Sequence, residues 1–177
     1  LFRSDEATPK KHEQVRAVIA PHAGYVFSGR IAASSFSQID TSVTYRRIFI
    51  LGSSHHFRFE GASVYCGGDF IMPYGTEKVD TELGLELTKK HPTLFSDYRD
   101  AHFKDHSIEI QLPFLYYQLK GNYKIVPIIL GTAYPDICRE IAMALKPYLT
   151  HDNLFVISTD FSHYPQYNDA LQADEAT

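Results

Sequence analysis

Histidine and aspartate side chains follow three short apolar runs of the chain. The runs with their polar ends are AVIAPHAG (17–24), IFILGSSHH (48–56) and LFVISTDFSH (154–163). Uninterrupted apolar runs of this length are typical of buried strands. If the strands are parallel neighbours, their carboxyl ends meet at one edge of the sheet. That edge would hold His22, His55, His56, Asp160 and His163 together. Such a cluster can bind a divalent metal ion or transfer protons.

Each of these clusters also has a purely structural explanation. The Pro-His-Ala-Gly segment could be a tight turn in which His22 caps the next helix, and Asp160 could cap a helix beside an exposed His163. Neighbouring residues on an extended chain point to opposite sides. Only one of His55 and His56 can therefore face a given pocket, and we expect His56 to point away or to lie behind the ligands. The recurrence after three strands favours a site.

A fourth polar cluster, Asp105-His106-Ser107-x-Glu109, opens a predicted helix. Asp105 or Ser107 can cap this helix, and Glu109 suits its amino terminus, so capping accounts for both carboxylates. Capping does not account for His106, whose side chain can turn towards the same pocket. We therefore place His106 and Glu109 in the pocket or behind its ligands. The histidines expected at the surface, among polar neighbours, are His12, His91, His102 and His151.

Strands alternate with helices along the sequence. The predicted strands are 16–20, 47–51, 62–66, 124–130 and 153–158, and the predicted helices are 30–39, 81–90, 107–120 and 135–149. Apolar residues alternate at positions 108, 110 and 112, so the start of the third predicted helix could instead be a strand. The segment after His163 is polar and turn-rich. Pro127 predicts an edge position or a local break for its strand. The alternation predicts an α/β sandwich with a mixed or largely parallel sheet.

Composition narrows the class of protein. The chain of 177 residues, with 44% hydrophobic and 21% charged residues, is expected to form one domain with a substantial core. A net charge of -4 gives no electrostatic footprint for nucleic acid, and no apolar stretch has the length of a membrane span. Cys66 and Cys138 make no disulfide framework, which predicts a cytoplasmic protein. Because an α/β domain rarely ends on an uncovered strand, we expect a further C-terminal segment.

Four motifs together resemble the Memo family in order and spacing: APHAGY (20–25), ILGSSHH (50–56), DHSIEIQLPFL (105–115) and STDFSHY (158–164). The resemblance implies a relative of class III extradiol ring-cleaving dioxygenases, with a three-layer α/β/α fold around a mixed, largely parallel sheet. It implies that His22 and His55 bind iron or copper and that Asp160 lines the same pocket. It places His163 where the dioxygenases have a catalytic acid/base histidine. The family's third ligand is a cysteine in a C-terminal segment, so we expect that ligand outside this chain.

Two functions of different classes follow from this resemblance. The first is metal-dependent redox chemistry of an oxidase or dioxygenase-like kind. The second is a non-catalytic binding module for a phosphorylated or carboxylated small molecule or peptide, since eukaryotic relatives are described as binding phosphotyrosine peptides. A bound metal ion with turnover would favour the first. Tight anion binding that survives chelation would favour the second.

Overall fold

The computed structural model describes residues 14–176, which contain eight strands and six α-helices. The strands are β1 (Ala17–Ala20), β2 (Arg47–Ser53), β3 (Ala62–Val64), β4 (Phe70–Met72), β5 (Gly75–Glu77), β6 (Phe95–Ser96), β7 (Lys124–Leu130) and β8 (Asn153–Ser158). The α-helices are α1 (Tyr25–Phe36), α2 (Thr81–Lys90), α3 (Arg99–Phe103), α4 (Leu112–Leu119), α5 (Pro135–Leu145) and α6 (Tyr167–Glu175). Short 3₁₀ turns at Glu109–Gln111 and Lys146–Tyr148 precede α4 and follow α5.

Six of the strands form one sheet in the order β1-β8-β2-β7-β3-β6. The first four of these are mutually parallel, β3 runs antiparallel to β7, and β6 is parallel to β3. This confirms the mixed, largely parallel sheet. Because β8 lies between β1 and β2, the three strands that precede the polar motifs are adjacent, and their carboxyl ends share one edge.

Helices cover both faces of the sheet. On one face, α1 and α4 contribute Phe36 and Leu115 to a first apolar cluster with the sheet. On the other, α2 and α5 contribute Leu87 and Ile141 to a second cluster. Burying each large apolar side chain stabilises the fold by roughly 1.5–3 kcal/mol. The result is the three-layer α/β/α arrangement, with one core on each side of the sheet.

Pro127 occupies an interior strand, so the prediction of an edge position was wrong. Its carbonyl accepts a hydrogen bond from the backbone N–H of Tyr65 at 3.0 Å, which places its missing N–H on the β3 side. The pairing of β3 with β7 ends there, at Val64. Pairing with β2 continues through Ile50 opposite the proline. The missing donor thus falls where the neighbouring strand ends, and the ladder to β2 stays whole.

Several helix predictions also needed correction. Helix α1 begins at Tyr25, earlier than predicted, because the Gly24 carbonyl already accepts from Phe27 and Ser28. The strand alternative for residues 108–112 was wrong, because this stretch starts a helical segment. Pro113 lies in the first turn of α4, where its missing N–H costs little. The segment predicted to be turn-rich forms α6.

Among the histidines expected at the surface, His102 is buried, and its Nε2 lies 3.0 Å from the Ser63 hydroxyl. His151 is exposed and His91 is half-buried, whereas His12 lies outside the described residues. Both cysteines are free thiols. Within residues 14–176, no helix is long and apolar enough to cross a membrane.

Candidate metal site

Three functional side chains each lie two residues beyond the end of a strand. His22 follows β1, His55 follows β2 and Asp160 follows β8. His22, His55 and His163 each offer one ligand atom, and these atoms all lie within 4.8 Å of one another. A second group that meets the same limit consists of His55, Asp105 and His106. The structure therefore brings one histidine from each of the four motifs together at one edge of the sheet.

His22 is the most deeply buried histidine of this cluster, with 1% of its surface exposed. Its Nδ1 lies 2.9 Å from the Ser158 hydroxyl oxygen. Its Nε2 is buried and has no hydrogen-bond partner within the described part of the chain. Burial lowers the pKa of His22; the carboxylate of Asp160 raises it, and nearby histidines lower it further. The ring is therefore neutral near pH 7, which is the state that binds a metal ion.

The buried carboxylate of Asp105 holds His55. One of its oxygens, Oδ2, accepts the backbone N–H of His55 at 2.8 Å and lies 2.9 Å from the His55 Nδ1. The other accepts the backbone N–H of Ser107 at 2.8 Å. Burial alone would raise the pKa of Asp105, but these hydrogen bonds bring it below its usual value. The ionised carboxylate thus accepts a hydrogen bond from the Nδ1–H of the ring. The Nε2 of His55 is left for a metal ion, an arrangement common behind ligand histidines.

Asp160 anchors the turn that carries His22. Its Oδ1 accepts the backbone N–H groups of His22 at 2.5 Å and Ala23 at 2.9 Å. It does not cap a helix of its own, so the capping explanation does not apply to Asp160. Its Oδ2 lies 3.9 Å from the His22 Nε2 and 3.7 Å from the His163 Nε2. These distances exceed hydrogen-bond length, so the carboxylate faces both rings without bonding directly to either.

His163 lies on an irregular loop with 44% of its side chain exposed. Its Nδ1 is 3.2 Å from the Phe161 carbonyl oxygen. The backbone is left-handed at Phe161 (φ 56°) and at Tyr164 (φ 58°). Such conformations in residues other than glycine cost on the order of 1–3 kcal/mol and often occur at functional sites. This loop conformation places His163 at the open side of the cluster.

The remaining candidates lie at the margin of the pocket. His106 is exposed, and its ring stacks on that of His55 with centroids 4.8 Å apart. Glu109 is exposed, and its charge contributes, after burial and Tyr74, to raising the pKa of Tyr25 to about 12. His56 is exposed and belongs to neither group of candidate ligands.

Sequence reasoning missed two polar residues behind His22. Ser158 and Gln111 are buried, and the Gln111 amide donates to the Ser158 hydroxyl at 2.8 Å. Gln111 stands between two apolar residues just before α4, and Ser158 directly follows an apolar run at the end of β8. A polar residue inside an apolar pattern is the signal that could have found them, because buried polar groups need partners.

Imidazole and carboxylate groups gathered at the carboxyl edge of a mixed sheet define an α/β protein with a pocket that could hold a metal ion. The profile of the Memo-like protein family matches residues 1–177, and the chain belongs to this family. The chain is 33% identical over 162 residues to a MEMO1 family protein of Sulfolobus acidocaldarius, an alignment that covers 90% of the chain and 57% of that relative.

Two further relatives give the same result. A MEMO1 family protein of Aquifex aeolicus is 33% identical over 168 residues, which cover 94% of the chain and 61% of the relative. One of Desulfurococcus amylolyticus is 36% identical over 160 residues, which cover 88% of the chain and 56% of the relative. The resemblance seen in the four motifs is thereby confirmed. The chain spans somewhat more than half the length of these relatives.

Proposed function

We propose that this chain supplies the histidine ligands of an iron or copper site and that the protein performs oxidase or dioxygenase-like redox chemistry. The observation that carries the proposal is the buried Nε2 of His22, which has no hydrogen-bond partner among residues 14–176. A buried polar atom without a partner costs about 1–3 kcal/mol. A metal ion held between His22, His55 and the pocket would remove that cost.

The chemistry of the ligands supports this choice of metal. Neutral imidazole nitrogens suit iron, copper and zinc better than calcium or magnesium. His22 and His55 are the proposed ligands, since both rings have an Nδ1 engaged behind the pocket. The family resemblance implies a cysteine as the third ligand. Neither cysteine of this chain belongs to the groups of candidate ligands found among the described residues.

His163 and Asp160 are proposed to serve proton transfer. His163 is exposed at the open side of the cluster, so a substrate can reach it, and its Nε2 faces the Asp160 carboxylate at 3.7 Å. Histidine is the side chain most often used as a general acid or base. Bound iron or copper would supply electron transfer to or from a substrate. The surrounding residues would hold its ligands and move protons at the His163 ring.

The composition of the pocket favours this proposal over the binding module. The side chains gathered around His22 and His55 are imidazoles and the carboxylates of Asp105 and Asp160. Sites for phosphorylated or carboxylated ligands commonly use arginine, whose guanidinium binds such anions in a bidentate manner. A pocket of imidazole rings beside two carboxylates suits a cation better than an anion.

Metal titration tests the proposal. The protein would be purified without a metal-chelating tag, its iron, copper and zinc measured by elemental analysis, and Fe(II), Cu(II) and Zn(II) titrated into it. We expect His22→Ala and His55→Ala each to weaken binding more than the roughly 10–100-fold typical of losing a residue behind a ligand. His151→Ala, at an exposed histidine, is the matched control and should bind normally. Unchanged affinity in both pocket variants would refute the ligand assignment, and tight phosphate binding after chelation would favour the binding module.

A further inference from the structure

We propose that Ser158 and Gln111 are positioning residues that fix His22 in the tautomer whose Nε2 is free for a metal ion. The consequence for metal affinity rests on the proposed function. The tautomer itself is a property of the metal-free protein and can be measured separately.

The Ser158 hydroxyl has three polar neighbours and one proton to donate. Its oxygen lies 2.6 Å from the Ser107 carbonyl oxygen, 2.8 Å from the Gln111 Nε2 and 2.9 Å from the His22 Nδ1. A carbonyl can only accept, so the hydroxyl proton must point to Ser107. The two lone pairs of the oxygen remain, and both other neighbours must therefore donate to it.

The orientation of the Gln111 amide agrees with this assignment. Its Nε2 also donates to the Pro21 carbonyl at 3.0 Å. A flipped amide would place its oxygen against the Pro21 carbonyl oxygen, and it could not accept from the Ser158 hydroxyl, whose proton points to Ser107. Gln111 is completely buried, so water cannot relieve such a repulsion. The amide nitrogen therefore faces Ser158 and takes one of its lone pairs.

The last lone pair of Ser158 selects the tautomer of His22. If Nδ1 were unprotonated, two lone pairs would face each other at 2.9 Å in a buried site. A proton on Nδ1 turns this contact into a hydrogen bond and leaves the lone pair on Nε2. A neutral imidazole carries one ring proton, and only an unprotonated nitrogen can bind a metal.

The same residues also fix where the Nε2 lone pair points. Ser158 ends β8, Gln111 immediately precedes α4, and the Pro21 carbonyl lies in the turn that carries His22. The hydrogen bonds of the pair therefore join three separate parts of the fold around one ring. His22 has 1% of its surface exposed, so the ring has little room to choose another orientation.

Long-range ¹H–¹⁵N NMR spectra of the metal-free protein test the tautomer directly, because protonated and unprotonated ring nitrogens differ widely in ¹⁵N shift. We expect the His22 Nδ1 to carry the proton and Nε2 to be unprotonated. A wild-type spectrum with the proton on Nε2 would overturn the proposal without the need for any variant.

Ser158→Ala should produce a mixture of the two tautomers and weaken Zn(II) binding roughly 10–100-fold, the usual effect of losing a partner behind a ligand. Ser63→Ala is the matched control, because Ser63 is equally buried and also bonds a histidine, His102. The control should lower the unfolding midpoint but leave the His22 spectrum and Zn(II) affinity unchanged. Equal loss of Zn(II) affinity in both variants would mean that Ser158 acts only through stability, which contradicts the proposal.

Gln111→Met provides the second variant if Ser158→Ala does not fold, since it removes the donor that occupies the other lone pair of Ser158. It should also broaden the tautomer distribution of His22 and weaken Zn(II) binding, and an unchanged spectrum with unchanged affinity would contradict the proposal. If the wild-type protein has the expected tautomer but binds no metal, the proposed function fails while the tautomer assignment stands. If it binds Zn(II) through His22 but the ring has the other tautomer before binding, the positioning role fails alone.

Discussion

Asp105 and His55 stand fifty positions apart in the sequence and share a hydrogen bond of 2.9 Å. From the sequence, helix capping was a sufficient explanation for Asp105. In the structure its Oδ1 accepts the Ser107 N–H in a turn before the 3₁₀ segment, which has no side-chain cap. Its other oxygen binds His55, which no local pattern could indicate. The histidines themselves could be predicted because each follows a recognisable strand. Their polar supports could not, because each meets its histidine only across two elements of the fold.

We expect Asp105→Asn to weaken metal binding roughly 10–100-fold, because an amide is a poorer partner than a carboxylate for the His55 Nδ1–H. It should also lower the free energy of unfolding by about 1–3 kcal/mol, since a buried hydrogen-bonded group is disturbed. Asp69→Asn is the control, as Asp69 also accepts a backbone N–H and a side-chain donor, from Val79 and Lys78. Metal titration and urea denaturation of both variants give the comparison. Normal metal affinity in Asp105→Asn would show that the carboxylate has only a structural role.

His163→Gln should leave metal affinity within about tenfold of normal and lower turnover by roughly a hundredfold or more, the usual size of a general acid–base contribution. The reason is that His163 is exposed at the open side of the cluster, where a substrate can reach it. His56→Gln, at an exposed histidine outside both candidate groups, should change neither quantity. The metal titration can be done first. Loss of metal would make His163 a ligand, and normal turnover would exclude the proton-transfer role.

The strands and helices that are buried in the core were the ones whose positions could be predicted from the sequence. The runs that form β2, β7 and β8 are apolar because both faces of these strands are covered, and their positions were predicted closely. Helix α6 has no buried residue, so its sequence carries no apolar stripe to predict it from. The predicted start of helix α1 was too late, because the glycines near it suggested a turn. Gly29 is in fact buried inside the helix. Periodicity detects the elements that form the core and misses those that rest on its surface.

Gly52 in β2 permits the contact that brings Asp105 to His55. A Cβ at this position would lie 2.3 Å from the Ser107 Oγ and 2.9 Å from the Ser107 Cβ. Gly52→Ala must push the 105–107 turn away from the strand, and we expect it to lower the free energy of unfolding by about 1–3 kcal/mol. Because Asp105 moves with this turn, metal affinity should fall as well. Urea denaturation and metal titration measure the two effects.

Gly24→Ala is the control for this substitution, because its added Cβ would meet only the Phe27 ring at 3.6 Å, an ordinary contact. It should change the free energy of unfolding by less than about 1 kcal/mol, the scale of a helix-cap change. Equal destabilisation by the two substitutions would mean that the close approach of β2 and the 105–107 turn has no special role.

For the whole molecule, the fold class could be predicted but the strand order could not. Alternating strands and helices indicate an α/β sandwich whatever the order of its strands. The order depends on which crossovers the helices allow. Nothing in the residues of β1 or β2 indicates that β8 lies between them. The antiparallel β3 is likewise set by a connection rather than by composition. The proximity of His22 to Asp160 is therefore a result of topology alone.

The pH dependence of stability should carry a contribution from buried His102. Burial lowers its pKa from 6.5 to about 4 in the folded protein, so the unfolded chain takes up the proton first as the pH falls. Stability is then fully present above pH 6.5 and is lost as the pH falls from about 6.5 towards 4, by at most about 3 kcal/mol. Urea denaturation at several pH values should show that the free energy of unfolding falls less steeply with decreasing pH in His102→Gln than in the wild type.

His151→Gln, at an exposed histidine, is the matched variant and should keep the wild-type slope. Burial raises the pKa of Glu77, whose effect on stability has the opposite sign. That effect is present in all three proteins and cancels in the comparison. Parallel slopes for wild type and His102→Gln would mean that His102 is not held neutral by the fold.

The position of β8 also fixes the time at which the pocket can first exist during synthesis. Among the strands of residues 14–176, β1 pairs only with β8. Within that part of the fold, the strand that precedes His22 therefore stays unpaired until the ribosome has released residues 153–158. Asp160, which holds the His22 turn, emerges later still. Closing contacts over so long a stretch of chain is slow compared with forming local helices. If the pocket binds metal as proposed, it can be loaded only after β8 has joined the sheet and Asp160 has reached the His22 turn.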